Sequence, residues 1–174
     1  MTTNPQVRQQ KLLTAAEGYY ELEMYDHALA ALNDIPEPGT VGPALHRLRG
    51  EVLRALEQHQ AALEVFELAR AETPDDVQLL MAMAWCWKRT NQLPRAIAAM
   101  EHAYRISPNV AVVLYNLACY WSLAGNKTQA LSWLGRALRM DSGLRQLIPT
   151  EHDFDPLRHD PDFQLIIHAK DDVR

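Results

Sequence analysis

Four segments of the chain align without a gap at a constant step of 34 residues: Asp26-His27-Ala28-Leu29, Gln60-Ala61-Ala62-Leu63, Pro94-Arg95-Ala96-Ile97 and Thr128-Gln129-Ala130-Leu131. Four residues beyond each alanine stand Leu32, Phe66, Met100 and Leu134. Seven residues beyond stand Ile35, Ala69, Ala103 and Ala137. A column of small residues, Ala16, Gly50, Ala84 and Ala118, keeps the same step, and so do Pro74 and Pro108. Chance seldom holds five columns in register over four copies. A period of this length signals a stack of supersecondary units, none of which can bury its own apolar face alone.

The columns resemble the tetratricopeptide repeat, a 34-residue helix–turn–helix unit with the pattern W-x2-L-G-x2-Y…A-x3-F…P. The copies run over 9–42, 43–76, 77–110 and 111–144, roughly four-fifths of the chain. The departures are visible. The large columns read Leu12, His46, Leu80, Leu114 and Ala15, Arg49, Met83, Leu117, and Arg49 is a poor core residue. The aromatic column reads Tyr19, Leu53, Trp87, Trp121, and Ser142 stands where the fourth proline would. The resemblance implies an all-α fold, a right-handed superhelix (α-solenoid) of four helical hairpins with C-terminal capping helices. The small column lets each first helix sit close to its partner, and Phe66, Met100 and Leu134 fill the space between helices. Pro74 and Pro108 separate one copy from the next, because proline cannot continue a helix from inside. First helices are predicted near 6–22, 43–57, 76–90 and 110–124, and second helices near 25–34, 59–72, 93–106 and 127–140. The segment Asp34 to Pro43 holds Pro36, Pro38, Gly39 and Gly42 and reads as an extended loop, the softest point of the stack.

Charge marks off the end of the chain. Residues 1–149 carry 15 acids and 14 bases, whereas 150–174 carry 7 and 3, or −4 of the net −5. A stack leaves its last apolar face bare, so residues 145–174 are read as a cap. Asp155-Pro156-Leu157 and Asp160-Pro161-Asp162-Phe163 each read as an N-cap residue followed by proline at the first helical position. Phe154, Leu157, Phe163, Ile166 and Ile167 are expected to fold back on the fourth copy. The run from His152 to Phe163 also looks like the closing segment of many bacterial proteins of this repeat type.

Several classes of work are disfavoured. The net charge of −5 and pI of about 5.8 lack the basic stripe of a nucleic-acid binder. The longest apolar stretch, Val110 to Ala124, is broken by Asn116 and Ser122 and is shorter than the roughly 20 residues of a membrane span. The start is polar, without an apolar signal core, and two cysteines make no disulfide framework. A cytoplasmic protein is therefore expected. Cys86 and Cys119 read as small buried hydrophobes rather than as a disulfide. No Gly-rich phosphate loop, G-x-S-x-G or H-E-x-x-H occurs, and Ser107, Ser122, Ser132 and Ser142 have no evident base beside them, so neither an enzyme nor a cofactor is expected. Glu151, His152, Asp153, Asp155, His159, Asp160 and Asp162 could in principle ligate a metal, but their spacing matches no strong motif and two of the aspartates read as caps. No metal site is expected.

The resemblance places function on the first helices, whose repeat positions 2, 5, 6, 9, 12 and 13 line a concave groove. It implies Gln10, Leu13, Thr14, Glu17, Tyr20 and Glu21 in the first copy, and Ala44, Arg47, Leu48, Glu51, Arg54 and Ala55 in the second. In the third it implies Gln78, Met81, Ala82, Trp85, Lys88 and Arg89, and in the fourth Val112, Tyr115, Asn116, Cys119, Ser122 and Leu123. Family members that hold chaperone tails use Lys, Asn, Asn, Lys and Arg at positions occupied here by Leu13, Glu17, Leu48, Gln78 and Ala82, so that use is not expected. Trp85 and Tyr115 offer flat amphipathic surface, and Asn116 can donate and accept to a peptide amide. Arg54, Lys88 and Arg89 form a small basic spot. Trp85 and Trp87 face different sides of one helix, so only one of them can enter the core easily. The expected role is a non-catalytic adaptor, scaffold or assembly factor that binds a protein or peptide. The groove set is Arg47, Glu51, Arg54, Gln78, Met81, Trp85, Lys88, Arg89, Tyr115 and Asn116. The alternatives are a chaperone for an exported client and a homo-oligomerisation module forming a homodimer.

Overall fold

The structure, a computed structural model, describes residues 4–36 and 42–169. Nine α-helices are found among them: α1 (Pro5–Glu21), α2 (Tyr25–Asn33), α3 (Gly42–Ala55), α4 (His59–Glu72), α5 (Val77–Arg89), α6 (Leu93–Ile106), α7 (Ala111–Leu123), α8 (Lys127–Met140) and α9 (Pro161–His168). Two 3-10 helices, Ser142–Thr150 and His152–Leu157, lie between α8 and α9. The described residues contain no strand, and the fold is all-α. The first eight helices fall within two residues of the bounds read from the sequence. Part of the proline- and glycine-rich loop expected after Asp34 lies at 37–41, outside the described residues. Among the described residues no helix is long and apolar enough to cross a membrane.

The turn inside each hairpin repeats with the sequence. Glu23, Glu57, Asn91 and Gly125 stand 34 apart and all adopt positive φ, at 57°, 59°, 59° and 72°. Each first helix therefore ends on a left-handed residue, whose strain the next backbone contact offsets. The N–H one residue further on reaches back five residues: Met24 to the Tyr19 carbonyl (2.9 Å), Gln58 to Leu53 (2.9 Å) and Asn126 to Trp121 (3.0 Å). This is the Schellman closure, which satisfies carbonyls that a helix end leaves bare. Only the fourth turn uses glycine, so the column is invisible as a residue-type pattern.

The chain forms two compact units, Met1–Thr90 and Asn91–Arg174. In the first, α1 packs on α2 and α3 on α4, α2 and α4 each pack on the helix that follows, and α3 also touches α1 and α5. The small columns explain how closely these helices approach. Ala16, Ala28, Ala62 and Ala84 are fully buried. Gly50 is buried against Phe66, and a Cβ there would fall 2.3 Å from the ring. Arg49, a poor candidate for burial, donates instead to the Leu32 carbonyl near the end of α2 at 2.8 Å. The guanidinium thus satisfies a carbonyl at a helix C-terminus.

In the second unit α7 packs on α6 and α8, the first 3-10 helix and α9 pack on α8, and the second 3-10 helix packs on α7. Phe154 and Phe163 are fully buried and their rings lie 5.4 Å apart. Leu157 is buried, Ile166 and Ile167 are half-buried, and Leu165 is exposed. Asp160 caps α9 by accepting from the Asp162 and Phe163 N–H groups, with Pro161 opening the helix. Lys127, at the start of α8, reaches Asp160 at 2.6 Å and Asp162 at 2.8 Å and holds the Asp160 carboxyl below its usual range. Asp155 is not an N-cap, contrary to the sequence reading. It lies inside the second 3-10 helix, where it pairs with His152 and Arg158, and Glu151 caps that helix instead.

Candidate functional site

The first unit contains a cleft of about 440 Å³ lined by Glu17 and Tyr20 from α1, Ala44, Arg47, Leu48 and Glu51 from α3, and Thr73 and Asp76 from the link between α4 and α5. Helical spacing puts Glu17 and Tyr20 on one face of α1, and Ala44, Arg47, Leu48 and Glu51 on one face of α3. The contact between α1 and α3 brings these faces together. Asp76 has two tasks. One oxygen caps α5 by accepting from the Gln78 and Leu79 N–H groups at 2.9 and 3.1 Å. The other pairs with Arg47 at 3.1 Å. The two tasks are separable. Asp76→Ala is expected to cost about 1 kcal/mol through the lost cap. Asp76→Asn keeps an accepting oxygen and is expected to lose only a few tenths, as partly exposed ion pairs do. Urea midpoints of the two variants check this.

Deeper along α3, Arg54 grips Glu51 through Nη2 (2.7 Å) and Nε (2.8 Å). Burial pulls the guanidinium pKa down, but Glu51 outweighs it, so Arg54 is held firmly charged. Burial, then the Glu51 carboxylate, pushes the Tyr20 phenol up. The same guanidinium lies 5.3 Å from the centre of the Trp85 ring, and that of Arg89 lies at 5.6 Å. His59 meets the indole edge-on, with centroids 4.9 Å apart. Burial and then Arg89 lower the His59 pKa, which favours a neutral imidazole here. Trp85 is thus a partly exposed aromatic plate held by two cations, whereas Trp87 is buried in the core. The expected division between the two tryptophans holds.

The structure gathers Arg47, Glu51, Arg54, Trp85 and Arg89 in the first unit through the cleft and the cation–π contacts. Gln78 is exposed as the second residue of α5, and Met81 and Lys88 are half-buried on the same helix. Asn116 is half-buried on α7 of the second unit. Tyr115 is a correction. It is 3% exposed and stands edge-to-face against Phe154 at 5.6 Å. It is a seat for the protein's own cap and presents no aromatic surface to a partner. Thr73 and Asp76 line the cleft but lie outside the first-helix positions that the repeat resemblance singled out. Cys86 and Cys119 are both buried, and burial pushes the Cys86 thiol up to about 11.

Solved structures share this architecture. YrrB, a TPR protein with an unusual peptide-binding site, matches with a TM-score of 0.75 at 21% identity, over 82% of this chain and 73% of its own. MamA matches with a TM-score of 0.73 at 16% identity, over 79% of this chain and 81% of its own. TTC0263, a thermophilic TPR protein of Thermus thermophilus, matches at 0.63 and 20% identity over 85% of each chain. No family model and no curated protein matches the chain. At these identities the likeness is one of fold.

Proposed function

Because the chain has the tetratricopeptide-repeat fold, we propose that it is a non-catalytic interaction module that holds an extended segment of another protein in the cleft between α1 and α3. The observation that carries this reading is the lining of the cleft. Six of its eight residues occupy first-helix positions that this repeat turns toward a groove. Its volume falls within the roughly 300–1,000 Å³ of ligand clefts. Of its four charged groups, Arg47 and Asp76 pair with each other and Glu51 pairs with Arg54. Such pairs can exchange partners with a peptide without stranding a buried charge. Trp85 supplies an anchor of the kind enriched at binding hot spots, and the two arginines fix its orientation.

The test selects binding peptides from a random displayed library on the immobilised full chain. Affinities for Arg47→Glu and Trp85→Ala follow. Each variant is expected to bind the selected peptides at least tenfold more weakly, about 1.4 kcal/mol. Arg47 is half-exposed at 53%, so its variant is expected to keep the parent's urea midpoint and helical signal. Peptides that bind both variants as tightly as the parent would overturn the reading.

A further inference from the structure

The cap brings two carboxylates to a buried sulfur. The Cys119 Sγ and a carboxylate oxygen from each of Glu151 and Asp153 all lie within 4.8 Å of one another. Cys119 is 1% exposed, and both acids are half-buried. Tyr115 lies one turn before Cys119 on the same face of α7. Its hydroxyl is closed off from solvent and has no hydrogen-bond partner among the described residues. A buried hydroxyl left without a partner, on the same helix face as the Cys119 thiol, calls for an explanation.

We propose that Cys119, Glu151 and Asp153 form a zinc site joining α7 to the C-terminal cap, with the Tyr115 hydroxyl hydrogen-bonded to a water in the fourth position. The donor set selects the ion. Calcium and magnesium take oxygen ligands, whereas a thiolate beside carboxylates suits borderline-soft, redox-inert zinc. Three protein ligands leave a tetrahedral zinc one place for water. Binding releases one proton from the Cys119 thiol to solvent as the Zn–S bond forms. Three anionic ligands around a dication leave one negative charge, and Arg158 lies beside it to offset this. That guanidinium donates to the Glu151 carbonyl at 2.7 Å and the Ile148 carbonyl at 2.9 Å, and it also pairs with Asp155. Glu151 Oε1 accepts from the Asp153 N–H at 3.1 Å, which holds the two acids in register. His152 stays outside the site, with its side chain 90% exposed and bonded to Asp155. The spacing of the acids alone gave no such signal, because the sulfur comes from a helix distant in sequence.

The untagged, reduced full chain is titrated with cobalt(II) and then with zinc sulfate. One equivalent of cobalt is expected to give thiolate-to-metal charge-transfer absorption, which zinc abolishes. Zinc at a hundred times its dissociation constant is expected to raise the Tm by roughly 5–10 °C. Cys86→Ser is expected to keep both signals. Cys119→Ser is expected to lose the absorption, and the double variant Glu151→Gln/Asp153→Asn to bind zinc at least tenfold more weakly. Should Cys119→Ser fail to fold, the double variant decides. A parent without the absorption, the same absorption in Cys119→Ser, or unchanged zinc affinity in the double variant would overturn the proposal.

Discussion

Replacing Phe154 with alanine is expected to destabilise the second unit by about 3–5 kcal/mol, the cost of emptying a fully packed aromatic site. The ring is completely buried and meets Tyr115 on one side and Phe163 on the other. It joins the cap to α7, while α9 reaches α8 independently through Lys127, Asp160 and Asp162. The substitution is therefore expected to do more than open a cavity. With the ring gone, the segment after Met140 loses its main apolar anchor and Tyr115 gains access to water. Limited proteolysis reads the first effect as early cleavage after α8, and urea unfolding reads the second as a lowered midpoint. A Phe154→Ala protein with the parent's midpoint and cleavage pattern would mean that the cap does not hold the second unit together.

Gly50→Val is expected to cost about 3 kcal/mol or more. The first added carbon would lie 2.3, 2.4 and 2.9 Å from three carbons of the Phe66 ring. Phe66 is fully buried and has no room to retreat, so α3 and α4 must move apart. The better helix propensity of a side chain over glycine returns at most about 1 kcal/mol. Gly18 gives the control of opposite sign. Nothing lies within 4 Å of a Cβ there, so Gly18→Ala is expected to stabilise by about 0.5–1 kcal/mol. Urea midpoints of the two variants should move in opposite directions. Combining Gly50→Val with Phe66→Ala should recover part of the loss, since the two sites share one volume.

The stacking was legible in the sequence because it is local. Ala28, Ala62, Ala96 and Ala130 are all fully buried, as are Leu32, Phe66, Met100 and Leu134, and each column depends on contacts within one repeat or with the next. The division between Trp85 and Trp87 was legible for the same reason, since helical spacing alone sends them to different sides. Two of the places where sequence reasoning fell short involve partners brought in from elsewhere, and a third a competing local contact. Arg49 found a carbonyl at the end of α2, 17 residues earlier. Tyr115 matched a groove position by its place in the repeat, but the cap returns to cover it, and no repeat column encodes where a tail will lie. Asp155-Pro156 carries the same local signal as Asp160-Pro161, yet only the second pair opens an α-helix, because Asp155 is engaged by His152 and Arg158 inside a 3-10 turn. The cleft itself was half visible. Its α1 and α3 lining follows from repeat position, whereas Asp76 joined it through an ion pair to Arg47.

The proposed function places partner recognition in the first unit. Amide hydrogen exchange on the full chain, with and without a saturating selected peptide, tests it most directly. Protection is expected over Pro5–Glu21, Gly42–Ala55 and the first turn of Val77–Arg89, the elements that carry the cleft and its cap at Asp76. Protection confined to residues after Asn91, with exchange in α1 and α3 unchanged, would contradict it.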